Sequence, residues 1–263
     1  MIDVLSDEAR PVLDDVARRR MLLAFDFDGT LAPLVDDRDA AGMPDSTRRL
    51  LRLVSILYPC AVVSGRSRRD LVRRLDGVPL LAVVGNHGAE AGHGPVDGTV
   101  RDLVIGWREA ARAALAGVAG VEIEDKGLSL AIHYRRARAR EDAARAVAAA
   151  ARALPGARVF GGHEVVNVVP PDLHDKGLAV AGLVARLSRG EALYVGDDVT
   201  DEDAFASPAV AVGIRVGASP SSAAGYFVPS QERVDDLLRA LLRARRRLEG
   251  LDDRVDALER MLG

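Results

Sequence analysis

The chain has 263 residues, 48% apolar and 29% charged, the balance of a folded globule long enough for one large core or a core with an inserted domain. Its 36 basic and 39 acidic residues give a net charge of −3, which argues against a protein that coats nucleic-acid backbone. No run approaches the roughly 18 apolar residues of a membrane span, and the single cysteine, Cys60, allows neither an internal disulfide nor a cysteine-based zinc site.

The first residues carry Asp3, Asp7 and Glu8 instead of a basic leader, so a cytoplasmic protein is expected. Aliphatic runs at 22–25, 61–63 and 81–84 read as buried strands, and stretches with helical spacing at 45–57 and 68–75 fall among them, with Asp45 and Ser67 as expected N-caps. Cys60 opens one of these runs as a buried thiol. Over 97–169 the rhythm changes to helix (103–115), strand (128–133), helix (141–154) and strand (165–169), which reads as an inserted α/β subdomain. Trp107 lies in the apolar pattern of the first of these helices and is expected in its core. The Pro170-Pro171-Asp172 turn returns the chain to the core, whose last strand before the acidic stretch is 192–195. The expected fold is therefore α/β, a doubly wound parallel sheet built from 1–96 and 170–263, with the subdomain at 97–169. After Pro229 the pattern is helical to the end, with Gly250 a break. Leu248, Leu251, Val255, Leu258 and Leu262 follow 3-4-3-4 spacing, too short for a coiled coil, so packing on the protein's own sheet and a monomer are expected.

Two acidic segments follow buried strands. Asp26 and Asp28 alternate in an extended segment that ends at Gly29, so both carboxylates face one side. Such a pair in a partly dry cleft requires a neutralising cation or a retained proton. Asp197, Asp198, Asp201, Glu202 and Asp203 crowd a second strand exit, and helix capping explains Asp201 more readily than Asp197. The spacing does not match a twelve-residue calcium loop. Ser64 and Gly65 at a strand end and Lys176 at a helix start supply a hydroxyl, turn amides and an ammonium for a phosphate. Lys126 and Lys176 are the only lysines, so a single arginine carries little weight in this arginine-rich chain. His133 and Tyr134 alternate, so one of them at most faces a cleft. His93 and His163, in glycine-rich turns, are expected to do nothing specific.

In their order and strand context, the segments around Asp26, Ser64, Lys176 and Asp197 resemble the haloacid dehalogenase-like phosphatases. The stretch 196–205 is similar to the signature of the trehalose-6-phosphate phosphatase family, as are 85–90 and 124–135. The resemblance implies Asp26 as nucleophile, Asp28 as general acid and base, and Ser64, Gly65 and Lys176 as phosphate binders. It implies Mg2+ held by Asp26, Asp197 and the main-chain carbonyl of Asp28, with Asp198 and Asp201 in support. Asn86, His87, Glu124, Lys126 and Asn167 would reach sugar hydroxyls, the inserted subdomain acting as a cap over a small-molecule sugar phosphate. Asn167 departs from the family's usual glutamate and bears on which disaccharide is taken. Hydrolysis of another sugar phosphate, a sugar phosphomutase and a silent binding scaffold are the alternatives.

Overall fold

The computed structural model describes residues 1–35, 41–90, 98–162, 164–170, 175–187 and 190–249. The chain divides into two compact units, Met1–Ala91 with His174–Gly263, and Gly92–Leu173. In chain order the elements are β1 (Ile2–Asp3), α1 (Arg10–Arg19), β2 (Leu22–Phe25), α2 (Asp45–Leu57), β3 (Cys60–Val63), α3 (Arg68–Arg74) and β4 (Ala82–Val84). Then come α4 (Gly98–Leu115), β5 (Glu122–Asp125), β6 (Leu130–His133), α5 (Arg140–Arg152), β7 (Arg158–Gly162) and β8 (Val165–Val169). The first unit resumes with α6 (Lys176–Arg186), β9 (Ala192–Gly196), α7 (Glu202–Phe205), β10 (Val210–Val216), β11 (Tyr226–Val228) and α8 (Val234–Glu249).

In the first unit seven parallel strands run in the order β1-β11-β10-β9-β2-β3-β4. Alternation along each central strand splits the aliphatic runs between two cores. Leu23, Phe25, Cys60, Val62, Leu193 and Val195 join α1, α2 and α8 on one face. Leu22, Ala24, Ala61, Val63, Ala192 and Tyr194 join α6 and α7 on the other. Because both faces are covered, these strands read as unbroken apolar runs. Buried hydrogen bonds tie the helices of the first face together, Tyr58 donating to the Leu241 carbonyl at 2.9 Å and Arg245 to that of Ala17 at 2.7 Å. Burial pushes the Cys60 thiol up to about 12, so it is inert packing.

The first half of the unit runs outward from β2 to β4, and the second half returns beside β2 as β9 and runs the other way. The strand order therefore reverses between β2 and β9, and ligands of open α/β sheets bind at the carboxyl ends of strands at such a reversal. The pairing Phe25↔Val195 brings Asp26 and Asp197 to that point.

In the second unit the antiparallel sheet β5-β6-β8-β7 lies under α4 and α5. Leu130, Ile132, Val166 and Val168 fill its core with Trp107, which is 1% exposed and donates to the Pro155 carbonyl at 2.9 Å. On the opposite face Glu124, Ala131, Asn167 and Phe160 pair across the four strands in one row, so two polar side chains, Glu124 and Asn167, lie there between apolar ones.

Several boundaries differ from the sequence reading, among them the start of α4 at Gly98 and not at 103. Asp45 is the first residue of α2, and Pro44 takes the N-cap position without a side-chain bond, whereas Ser67 does cap α3. Leu128 lies in the turn before β6, because glycine at 127, with φ +83°, opens a β5–β6 hairpin. A single 3-10 turn, Gln231–Arg233, follows Pro229, so α8 begins only at Val234. The sequence reading omitted strands β1, β7, β10 and β11 and helix α1, although α1 buries Leu13, Val16 and Ala17 on one face and β10 buries Val212, Ile214 and Val216 in alternation. The 171–172 turn, His93, His163, Gly250 and the 251–262 portion of the leucine seam lie outside the described residues. Among the described residues no helix is long and apolar enough to cross a membrane.

Candidate active site

Asp26 leaves the end of β2 with its amide held by the Val195 carbonyl at 2.8 Å, and its side chain is almost wholly buried. Oδ2 meets Lys176 Nζ at 3.1 Å, while Oδ1 is buried with no hydrogen-bond partner among the described residues. Lys176 opens α6, whose N-cap Asp175 accepts from the Leu178 amide at 2.8 Å. Lys176 is 1% exposed, and its ammonium reaches Asp201 Oδ1 at 2.7 Å. Burial works against that charge, but Asp201 and Asp26 outweigh it and hold the lysine above its ordinary value.

Asp201 is the hub of the second acidic segment. Its Oδ1 accepts from Lys176 and from the Tyr194 hydroxyl at 2.6 Å, and its Oδ2 accepts from the amides of Asp197 and Asp198, each at 2.9 Å. Asp198 caps the same turn through the Val199 amide at 2.7 Å, completing a reciprocal capping box. These bonds aim Asp197 at Asp26. Thr30, buried beyond Gly29, donates to Asp197 Oδ1 at 3.1 Å. Gly29 adopts φ +77°, and a Cβ there would overlap the Asp197 carboxylate, so the first acidic motif requires its glycine.

One oxygen from each of Asp26, Asp197 and Asp201 lies within 4.8 Å of the others. Burial raises Asp26 to about 7, with Asp201 and Asp28 adding to the rise and Lys176 opposing it. Burial, then Asp26 and Asp201, raise Asp197 to about 8. Two repelling carboxylates and an unpartnered buried Oδ1 fit a hard cation, which takes oxygen ligands and would remove this repulsion. Asp201 already accepts four donors, so Asp26 and Asp197 are the carboxylates available to such an ion.

Asp28 is not one of these three carboxylates, although its alternation with Asp26 led both to be expected on one side, and its charge still raises Asp26. Arg66 grips both Asp28 oxygens at 2.6 Å and reaches Asp70 at 2.9 Å. Arg66 follows Ser64 and Gly65 at the end of β3, with its amide 3.3 Å from Ser64 Oγ. Ser64 is 1% exposed, and a Cβ on Gly65 would overlap the His87 ring. The 85–90 loop closes on this corner: the Asn86 amide donates to the Arg66 carbonyl at 2.8 Å and the His87 amide to the Ser64 carbonyl at 3.0 Å. Both residues take left-handed backbone angles, φ +49° and +56°, and Asn86 is fully buried. Asp26, Lys176, Asp197 and Asp201 thus converge, and Asp28, Ser64 and Gly65 are linked through Arg66.

Glu124, Lys126 and Asn167 belong to the second unit. Glu124 and Asn167 flank Ala131 on the face opposite the core, with Glu124 3.1 Å from His133 Nε2, and Lys126 lies in the β5–β6 turn. The sequence reading omitted Arg66, Thr30 and Tyr194. Arg66 directly follows Gly65 and Thr30 directly follows Gly29, but abundant arginine hid the first.

A doubly wound parallel sheet carrying a carboxylate–lysine site at its reversal and interrupted by an α/β insert is the haloacid dehalogenase-like phosphatase architecture. The chain belongs to the trehalose-phosphatase family, whose model matches residues 24–232. A trehalose-phosphate phosphatase of Mycobacterium avium is 36% identical over 207 residues, covering 73% of this chain and 52% of that protein. The chain spans about half the length of the curated relatives it matches. The C-terminal domain of a Candida albicans trehalose-6-phosphate phosphatase superposes with TM-score 0.75 at 22% identity, covering 88% of this chain and 96% of that one. An Aspergillus fumigatus trehalose-6-phosphate phosphatase gives TM-score 0.60 at 26% identity, with 89% and 97% covered.

Proposed function

We propose that this chain hydrolyses trehalose 6-phosphate to trehalose and phosphate with Mg2+ as cofactor. The observation that carries the reading is Asp26, a buried carboxylate with one oxygen on Lys176 and the other without a hydrogen-bond partner among the described residues, at the sheet's reversal. Asp26 attacks phosphorus in line and the sugar oxygen departs, leaving an aspartyl-phosphate. Lys176 neutralises phosphoryl oxygens, with Ser64 Oγ and the Gly65 amide as further donors. Asp28 gives a proton to the departing oxygen and then takes one from the water that hydrolyses the acyl phosphate. Asp26, Asp197 and the main-chain carbonyl of Asp28 would hold Mg2+, which supplies charge neutralisation at the phosphoryl group. Within the second unit Glu124, Lys126 and Asn167 are the candidate groups for sugar hydroxyls, and within the first unit His87 is. Asn86 is enclosed, and its part is to shape the 85–90 loop.

The test is phosphate release from trehalose 6-phosphate, glucose 6-phosphate, sucrose 6-phosphate and glucosylglycerol phosphate, with Mg2+ and with EDTA. A Mg2+-dependent preference for trehalose 6-phosphate is expected, together with loss of turnover in Asp26→Asn. Preference for another member would discard the substrate and point to Asn167, while appreciable turnover by Asp26→Asn would discard the nucleophile.

A further inference from the structure

Arg66 is a charged side chain only 4% exposed, and none of the steps above uses it. Its Nε donates to Asp28 Oδ2 and its Nη2 to Asp28 Oδ1, both at 2.6 Å, so the guanidinium and the carboxylate are coplanar partners. Its Nη1 donates to Asp70 Oδ2 at 2.9 Å, an oxygen that also accepts from Arg74 Nε at 2.8 Å. The guanidinium carbon stands 5.6 Å from the centre of the Phe27 ring. The fork is therefore fixed from three sides: by α3 through Asp70, by Phe27, and by its own main chain between Ser64 and Asn86.

We propose that Arg66 is a positioning residue for the reaction, holding the Asp28 carboxylate in the one orientation from which it exchanges a proton. This rests on the reading of Asp28 as the proton-transfer group. A carboxylate offers about four lone-pair sites, and the fork occupies two in a fixed plane. The remaining sites keep a defined direction toward a sugar oxygen or a water. The Asp28 side chain is 33% exposed, so without the fork it would spread over several rotamers in solvent. Proton transfer demands hydrogen-bond reach, and small misplacements cost on the order of 100-fold in rate. Lysine offers one point charge on a flexible stem and cannot replace the fork.

The experiment compares wild type, Arg66→Ala, Arg66→Lys and Asp28→Asn in steady-state hydrolysis of trehalose 6-phosphate. Each is assayed with added guanidinium chloride and with sodium chloride at equal ionic strength. Arg66→Ala should lose roughly 30- to 100-fold in kcat with KM within about threefold of wild type. Guanidinium, and not sodium, should restore part of that loss, whereas Asp28→Asn should not respond. Arg66→Lys should stay as slow as Arg66→Ala, and it carries the test if the alanine variant does not fold. Overturning results are a kcat within about threefold of wild type in either variant, a rise in KM with kcat preserved, or no response to guanidinium. An inactive wild type would overturn both this role and the phosphatase reading, while an active wild type with an unaffected Arg66 variant overturns this role alone.

Discussion

Asp201→Asn isolates the hub of the site. The change preserves shape but replaces one acceptor oxygen with an amide that donates. Whichever way it turns, that amide faces either Lys176 and Tyr194 or the main-chain amides of Asp197 and Asp198. Breaking a buried ion pair costs about 3–5 kcal/mol. Lys176 keeps Asp26 at 3.1 Å, which places the loss near the lower bound. A donor left facing a donor adds roughly 1–2 kcal/mol. Relief of repulsion on Asp26 and Asp197 returns on the order of 1 kcal/mol, since Asp201 raises both. The net is about 3–4 kcal/mol, or roughly 6–16 °C in Tm for a unit of this size. Thermal unfolding by circular dichroism in EDTA reads it, with Asp198→Asn as control. Asp198 caps the turn at the Val199 amide and in the capping box with Asp201, and asparagine keeps an acceptor oxygen there, so this control should lower Tm by no more than about 3 °C. An Asp201→Asn midpoint within about 2 °C of wild type would refute the hub.

Mg2+ should stabilise the protein more as pH rises. Asp26 and Asp197 are raised to about 7 and about 8, so the folded state holds protons that the unfolded state has released. Stability without metal should therefore fall as pH rises from about 4 to 8, and the Mg2+-induced gain in Tm should grow across the same window. A gain independent of pH from 5.5 to 8.5 would count against the two-carboxylate site. Gly29→Ala pays left-handed strain of about 1–2 kcal/mol and displaces Asp197. Gly217→Ala, at φ +78° with nothing within 4 Å, pays the strain alone. Only Gly29→Ala should lose the Mg2+-induced Tm gain, as measured by calorimetry, and an equal loss in both would refute the overlap. Trp107→Ala should cost the second unit about 3–5 kcal/mol by opening its core. Urea unfolding followed by far-ultraviolet circular dichroism checks this, and a change below about 1 kcal/mol would show that Trp107 is not the centre of that core.

The sequence by itself determined the strands that are buried on both faces and the acidic motifs at their ends. Residues 22–25 and 165–169 match their strands, and 45–57 its helix, because apolar periodicity is local. Glycine at 29, the Asp26–Asp28 alternation and the crowded 197–203 segment are also visible in the linear chain. Strands as short as β1 and β11 have too few residues for a period, and they hold their places through pairing with neighbours. Tertiary structure alone decided which charges meet. Asp26, Arg66, Lys176 and Asp201 come from four distant segments, and their partners follow from the reversal of strand order between β2 and β9. Nothing local distinguishes Arg66 from the other arginines, and the capping role read for Asp201 does not reveal its bonds to Lys176 and Tyr194. Hydrogen-bond and ion-pair energies depend on separations of a few ångströms, and for these groups only the packed sheet sets those separations.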